Sequence, residues 1–285
     1  MTTAPFATRF APSPTGRLHR GHAYSALTAH DAARAANGRF VLRIEDIDAT
    51  RCRPEFEAGI LEDLAWLDLA WETPVLRQSD HLADYERALD SLTARGLTYR
   101  CFRTRKEVAQ AMASAPHGAM DVFRGAALPA NEEAARLAAG EPFAWRLSLD
   151  SAREALGGFE ALGFVEEGHG PDSEHGAIAA RPELGGDVVL ARKDVGVAYH
   201  LAVTVDDARQ GITHVIRGQD LFEATHVQRL LQALLDLPAP VYRHHPLLMG
   251  PDGKRLAKRD RAETLQSLRD RGVTPAGLRR EMGFD

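Results

Sequence analysis

The chain has 285 residues, 44% of them hydrophobic and 26% charged, which suits one elaborated domain or two small ones around a sizeable core. No apolar run approaches the ~20 residues a membrane span needs, the N-terminus lacks a basic stretch followed by an apolar one, and two cysteines, Cys52 and Cys101, cannot build a disulfide framework. A reducing cytoplasm and no membrane partner are therefore expected, and the net charge of −5 excludes a generally cationic nucleic-acid binder while leaving room for a local cationic patch.

In chain order, Thr8 to Ala11 reads as a strand end, and Pro12 to Gly16 as a turn, with two prolines, a serine and a glycine over five residues. Leu18 to Ala36 is Ala-rich and stops at Asn37-Gly38, which predicts a helix. Phe40 to Ile44 is a short apolar run fit for a buried strand. Pro54 to Leu69 has apolar residues at helical period, with Pro54 placed for a first turn. Strand, helix, strand, helix predicts a βαβ unit and a parallel sheet. From about Thr98 to Arg181 the texture breaks into short pieces and the loose segment Gly168 to Gly176, which reads as an insertion. Regular α/β texture resumes at Asp187 to Leu190, Tyr199 to Val205 and Ile212 to Ile216. An amphipathic helix follows over Leu221 to Leu237, and Val241 to Met249 leads into G-K-R-L-A-K-R (Gly253 to Arg259).

Two segments carry chemistry. In P-S-P-T-G-R-L-H-R-G-H (Pro12 to His22), His19 and His22 stand where a strand gives way to a helix. There two imidazoles and a helix N-terminus can face a phosphate, at the end of a strand where open α/β sheets bind nucleotides. Taken alone, two histidines at i, i+3 are commonly only capping or surface residues. They do not have the i, i+4 spacing of a helical zinc pair. The second segment is a cationic run, Lys254, Arg255, Lys258, Arg259 and Arg261 against Asp252 and Asp260, which by itself reads equally well as a solvated face.

The stretch R-F-A-P-S-P-T-G-x-L-H-x-G-H resembles the HIGH signature of the class I aminoacyl-tRNA synthetases, in the spelling of the glutamyl and glutaminyl branch. L-R-I-E-D-I-D, Y-H-L-A-x-x-V-D-D, G-I-T-H-V-I-R-G and H-x-P-L-L-M-G-P-D-G-K-R-L-A-K-R resemble further blocks of that branch in the family's order, the last being its KMSKS element. The resemblance spans residues 6 to about 260 and implies an α/β fold: a Rossmann-like catalytic domain with a parallel sheet, an inserted α+β subdomain and a short helical C-terminal segment. The implied divisions are 1–97 for the first half of the catalytic domain, 98–181 for the inserted acceptor-type subdomain, 182–250 for the second half, and 251–285 for the KMSKS-type loop and tail, with no anticodon-binding domain.

By the same resemblance His19, His22 and Lys258 are catalytic. Pro12, Ser13, Gly16, His19, Gly21, His22, Arg255, Leu256, Ala257, Lys258 and Arg259 bind ATP, and Mg2+ accompanies the phosphates. Glutamate carries two carboxylates and an ammonium, so its site needs cations and a carboxylate; the resemblance places Arg9, Ala11, Ser13, Glu45, Tyr199 and Arg217 there. Arginine forks suit carboxylates. Each arginine could instead make a structural ion pair, with Asp46, Asp48, Asp206, Asp207 and Asp220 near in sequence.

The chain departs from the family at Arg20, where an apolar residue is frequent, at Arg255 and Ala257 in the KMSKS element, and at Val203, where the glutamyl branch tends to carry asparagine. Relatives also carry a zinc site in the insertion. Here only Cys101 remains, Phe123 stands at a later ligand position, and His117 and Asp121 are a thin supplement, so zinc is expected to be absent and Cys101 simply buried.

The chain ends at Asp285, 27 residues after Lys258. This resembles the paralogues that activate L-glutamate without tRNA and attach it to queuosine at the wobble position of tRNA(Asp). The implied partner is the anticodon stem-loop bearing queuosine, and the implied state is a monomer. A compact glutamyl-tRNA or glutaminyl-tRNA synthetase, a nucleotidyltransferase sharing H-x-G-H, and a non-catalytic tRNA-binding paralogue remain as alternatives.

Overall fold

The computed structural model describes residues 4–113, 122–192, 196–248 and 263–284. The expectations for Arg255, Leu256, Ala257, Lys258 and Arg259, for the whole cationic run, and for His117 and Asp121 lie outside the described residues. Strand β1 (Ala7–Phe10) is buried at every position. It is followed by helix α1 (Arg20–Ala35) and β2 (Arg39–Ile44), with Asn37 at φ +48° in the left-handed turn between them. Next come α2 (Pro54–Trp66), with Pro54 in its first turn, β3 (Glu72–Arg77) and α3 (Leu82–Ala94). Strands β1, β2 and β3 form a parallel sheet in the order β1-β2-β3, as the strand–helix–strand pattern predicts.

The middle of the chain contributes β4 (Thr98–Cys101), α4 (Arg105–Ala113), α5 (Ala130–Ala138), β5 (Ala144–Leu147), α6 (Leu149–Leu156), β6 (Gly163–Glu166) and β7 (Gly176–Ala179). Then follow β8 (Val189–Arg192), β9 (Gly196–Val197), α7 (Tyr199–Arg209), β10 (His214–Gly218), α8 (Phe222–Leu234), β11 (Val241–His245), α9 (Leu265–Asp270) and α10 (Pro275–Glu281). Strand pairing cuts across the linear texture. β6 runs parallel to β11 in the sheet β10-β11-β6-β7, whereas β8 and β9 join the antiparallel sheet β4-β5-β8-β9. Thus β6 and β7, within the loosely patterned middle, extend the sheet of the second half, while β8, in the resumed texture, pairs backwards. Local composition cannot reveal this because strand partners are chosen by sequence-distant packing.

The sheet β1-β2-β3 meets the mixed sheet β10-β11-β6-β7 where Thr213 N donates to Ala7 O (3.0 Å) and Ala7 N to Thr213 Oγ1 (2.9 Å). One apolar cluster joins Leu27, Leu42, Ile44, Ile60 and Leu64 to Leu265, Leu268 and Leu278, so α9 and α10 pack against the first half. The short C-terminal helices are started by Thr264 and Thr274, whose hydroxyls accept from Ser267 N and Gly277 N. A Cβ at Gly59 of α2 would lie 2.2 Å from Arg17 Nη1, so the guanidinium of Arg17 lies directly over this glycine. No described helix is long and apolar enough to cross a membrane.

Candidate active site

A cavity of about 520 Å3 opens at the C-terminal ends of β1 and β10, lined by Arg9, Ala11, His19, Gly21, His22, Tyr24, Glu45, Tyr199, Arg217 and His245 among others. The structure thus brings together five of the six residues expected around glutamate and the H-x-G-H residues. Ser13 instead lines a second cavity of about 200 Å3, which shares Glu45 and Tyr199 with the first. Pro12 lines neither; its carbonyl accepts from Glu45 N (3.0 Å) and so fixes the backbone that carries Glu45. Gly16 also lies outside both linings. Val203 is 1% exposed on α7 and lines neither cavity, so its apolar side chain belongs to the packing of that helix.

His19 is the residue that caps α1, which is why the helix begins at Arg20 and not at Leu18. Its Nδ1 accepts from Gly21 N (3.1 Å), and His22 Nδ1 accepts from His19 N (3.2 Å). This is a reciprocal capping box made of two imidazoles, their rings 3.8 Å apart. Because each Nδ1 accepts, a neutral ring carries its proton on Nε2. Capping thus occupies Nδ1 of each ring, so the expected phosphate-facing role would fall to Nε2.

At the base of the cavity lies a charged cluster. Arg43, fully buried, donates to Asp207 (2.8 Å), Gln210 (3.0 Å) and Glu45 (3.3 Å) and lies 3.8 Å from Asp206. Arg9 donates from Nε to Asp207 (3.1 Å) and from Nη1 to the Ile216 carbonyl (3.4 Å). The structural ion pair weighed for Arg9 is therefore present, with Asp207, and Arg9 lines the cavity as well. Burial works against ionising Asp207, but Arg9 and Arg43 more than offset it and hold its carboxyl below the usual range. Burial pushes Glu45 up, against the pull of Arg43 and Arg9. Asp206 is likewise raised by burial against Arg43, Gln78 and Tyr85. Two guanidinium groups thus face three carboxylates, and Glu45, which borders both cavities, is placed to take a ligand's ammonium.

Arg217 is built differently. Its Nε donates to His244 Nε2 (3.1 Å), and Nη2 donates to Thr225 Oγ1 (2.7 Å) and Leu221 O (3.1 Å). Its Nη1 reaches Tyr199 Oη at 3.5 Å. His244 Nδ1 faces Glu166 Oε2 at 2.6 Å, and Glu166 Oε1 accepts from His244 N and Gly168 N, both at 2.8 Å. Burial pushes His244 down despite the Glu166 contact, so a neutral ring donates to Glu166 and accepts from Arg217. Arg217 is therefore gripped by neutral acceptors, and its charge stays available for an anion. His200 next to it is pushed down to about 4 by burial and by Arg217.

Sequence reasoning assigned no role to Arg43, Glu166, Thr225, His244, Tyr24, Ser25 or His245. Arg43 could have been found from its i, i+2 spacing to Glu45, which puts both on one face of the extended chain. Glu166 and His244 could not, since they meet only through the pairing of Tyr242 with Glu166 across β11 and β6.

Near the expected zinc position, Cys101 is 6% exposed and packs with Tyr99 and Phe123. Tyr99 Oη and Gly125 N both donate to Asp187 Oδ2 at 2.8 Å. Among the described residues no three His, Cys, Asp or Glu gather as a metal site.

Residues 5–283 match the family described as tRNA synthetases class I (E and Q), catalytic domain. The glutamyl-Q tRNA(Asp) synthetase of Rhodobacter capsulatus is 49% identical over 281 residues, 97% of this chain and 99% of that one. The glutamate–tRNA ligase of a Synechococcus species is 38% identical over 95% of this chain, which spans 56% of it. A crystal structure of a glutamate tRNA ligase from Elizabethkingia meningosepticum in complex with its amino acid superposes with a TM-score of 0.73 at 28% identity; the match covers 90% of this chain and 52% of that one. The chain accordingly belongs to the class I tRNA synthetases of the glutamyl and glutaminyl branch, and within them to the ligases of the glutamyl-Q tRNA(Asp) synthetase group.

Proposed function

We propose that the chain activates L-glutamate with ATP, without tRNA, and transfers the glutamyl group to queuosine at the wobble position of tRNA(Asp). The observation that carries the first half is one cavity holding an unbalanced carboxylate, Glu45, and a cation held by neutral acceptors, Arg217, beside the histidine-capped start of α1. The glutamate ammonium meets Glu45, and its side-chain carboxylate meets Arg217 and the Tyr199 hydroxyl. The α-carboxylate then attacks the α-phosphorus of ATP: a carboxyl–phosphate bond forms, the bond to the β-phosphate bridge breaks, and pyrophosphate leaves. His19 and His22 donate from Nε2 to the phosphate oxygens while the N-terminus of α1 favours the anion. Lys258, with Arg255, Leu256, Ala257 and Arg259, follows the phosphates from the second signature, and Mg2+ comes with ATP.

Support for the second half is the near end-to-end similarity to the Rhodobacter glutamyl-Q tRNA(Asp) synthetase. The second cavity also touches Glu45 and Tyr199, so it offers an acceptor hydroxyl access to the same bound glutamyl group. A splayed wobble base fits such a route, since single-stranded loops expose their bases.

Glutamate-dependent pyrophosphate–ATP exchange without tRNA tests the activation step; its absence refutes that step, and exchange that needs tRNA points to a charging enzyme. Transfer of labelled glutamate to tRNA(Asp) with and without queuosine tests the acceptor. A label on the terminal adenosine refutes base modification.

A further inference from the structure

We propose that Arg20 is a positioning residue for nucleotide use, clasping the C-terminal helices onto the H-x-G-H turn; the inference rests on the ATP-dependent reading above. Arg20 is the first residue of α1 and stands directly after His19. Its guanidinium reaches two carboxylates, Glu263 just before α9 and Glu281 at the end of α10. Nη1 bonds Glu281 Oε2 at 2.5 Å, and Nη2 lies 3.9 Å from Glu263 Oε2. Glu263 is held in addition by Arg271. In the sequence Glu263 follows the segment 249–262 that carries the second signature.

The backbone confirms what Arg20 holds. His19 and Thr264 form an isolated antiparallel bridge, and Leu265 N donates to Leu18 O (2.9 Å). The strand entering α9 is therefore hydrogen-bonded to the residues that set the position of the His19 ring. Further along α1, Asp31 pairs with Arg279 (2.6 Å), and Tyr24, which lines the large cavity, packs on Phe284 at 5.3 Å between ring centres. The C-terminal helices thus grip α1 on the side that bears its nucleotide-facing end.

The bland alternative is a surface ion pair, and the exposure of Arg20 and Glu281 (27% and 55% of their side chains) makes a large contribution to stability unreasonable. What the pair does control is register. The two chain segments it joins carry His19 at one end and the exit from the cationic segment at the other, and small misplacements of positioning groups are costly in rate. An apolar residue, which the family frequently has at this position, could not bind two carboxylates. Arg20 and its acidic partners therefore work as a matched set in this chain.

The test compares the parent chain with R20L, R20K and the charge exchange R20E/E281R, using glutamate-dependent pyrophosphate–ATP exchange, equilibrium binding of a non-hydrolysable ATP analogue, and thermal unfolding. R20L should raise the KM for ATP and the analogue Kd about tenfold while the KM for glutamate and the unfolding midpoint stay near the parent's. R20K should fall between the two, since an ammonium is a point charge without the fork. The exchanged pair should recover part of the ATP affinity, since the new carboxylate at position 20 meets its cation at position 281 but still faces Glu263. ATP affinity unchanged in R20L, ATP and glutamate affinities falling together with the unfolding midpoint, or no recovery in the exchanged pair would each overturn the proposal. Exchange absent from the parent chain would instead refute the activation reading, and analogue binding would still report on Arg20.

Discussion

The two ends of the large cavity are held by opposite means. At the proposed amino-acid end, Arg9, Arg43 and Arg217 are 4%, 0% and 5% exposed, and every charged group there has partners fixed by β1, β2, α7, β10 and β11. At the proposed nucleotide end, the H-x-G-H turn is capped by its own imidazoles and braced from outside by partly exposed ion pairs to Glu263, just before α9, and to Glu281 of α10. Burial makes the first end rigid and costly to alter, because an unpaired charge in a low-dielectric interior has no solvent to fall back on. Exposure makes the second end cheap to alter in stability and sensitive in geometry. Under the proposed function, the first end would select a small acid and the second would follow a substrate whose phosphates change bonding.

The strongest way to break this contrast is at Arg43. Arg43→Met leaves Asp206, Asp207 and Glu45 buried without their main cation, and a loss of about 3–5 kcal/mol is expected in urea unfolding. The loss should be greater at pH 8 than at pH 5, since the stranded carboxylates can take protons only at the lower pH. Arg217→Met should spare the fold more, because its partners are neutral, yet lower kcat/KM for glutamate about a hundredfold to a thousandfold, roughly 3–4 kcal/mol. A comparable rise in the KM for ATP would blur the division between the two ends.

At the nucleotide end, His19→Asn separates cap from catalysis. An asparagine oxygen can still accept from Gly21 N, so stability should hold within about 0.5 kcal/mol, while the exchange rate should fall about tenfold to a hundredfold. Equal retention of rate would show that His19 only caps.

The smallest effect is expected at Asp63 of α2, which is 0% exposed and whose oxygens find no hydrogen-bond donor among the described residues. Burial raises it from 3.8 to about 6, against the pull of Arg269 and Arg17. A carboxyl with a raised folded value binds its proton more tightly when folded, so stability falls as pH rises from about 4 to about 6 and is level above that. Asp63→Asn should therefore match the parent below about pH 4 and exceed it above pH 6, by at most about 3 kcal/mol. A constant offset across pH in paired denaturation curves would contradict this.

Much of the fold was legible where local signals agree with tertiary demands. The strand over Phe40 to Ile44, the helix opened by Pro54 and the stop at Asn37-Gly38 all appear with small shifts at their ends. The chemistry of the cavity was legible for the same reason: Arg9, His19, His22, Glu45, Tyr199 and Arg217 sit in short blocks whose residue types state what they can bind. The chain by itself thus determined the α/β class, the family and, through the family resemblance, a set of expected site residues that line one cavity.

The tertiary structure decided which of those groups are gripped and by whom. Arg9 shares Asp207 with Arg43, Arg217 leans on a histidine that leans on Glu166, and Arg20 closes on Glu263 and Glu281. These partners lie far apart in the chain, and sequence spacing carries information only over the few residues that one helix turn or one strand pleat brings together. Beyond that range, sheet pairing and burial choose the neighbours, and with them the protonation and charge of the site.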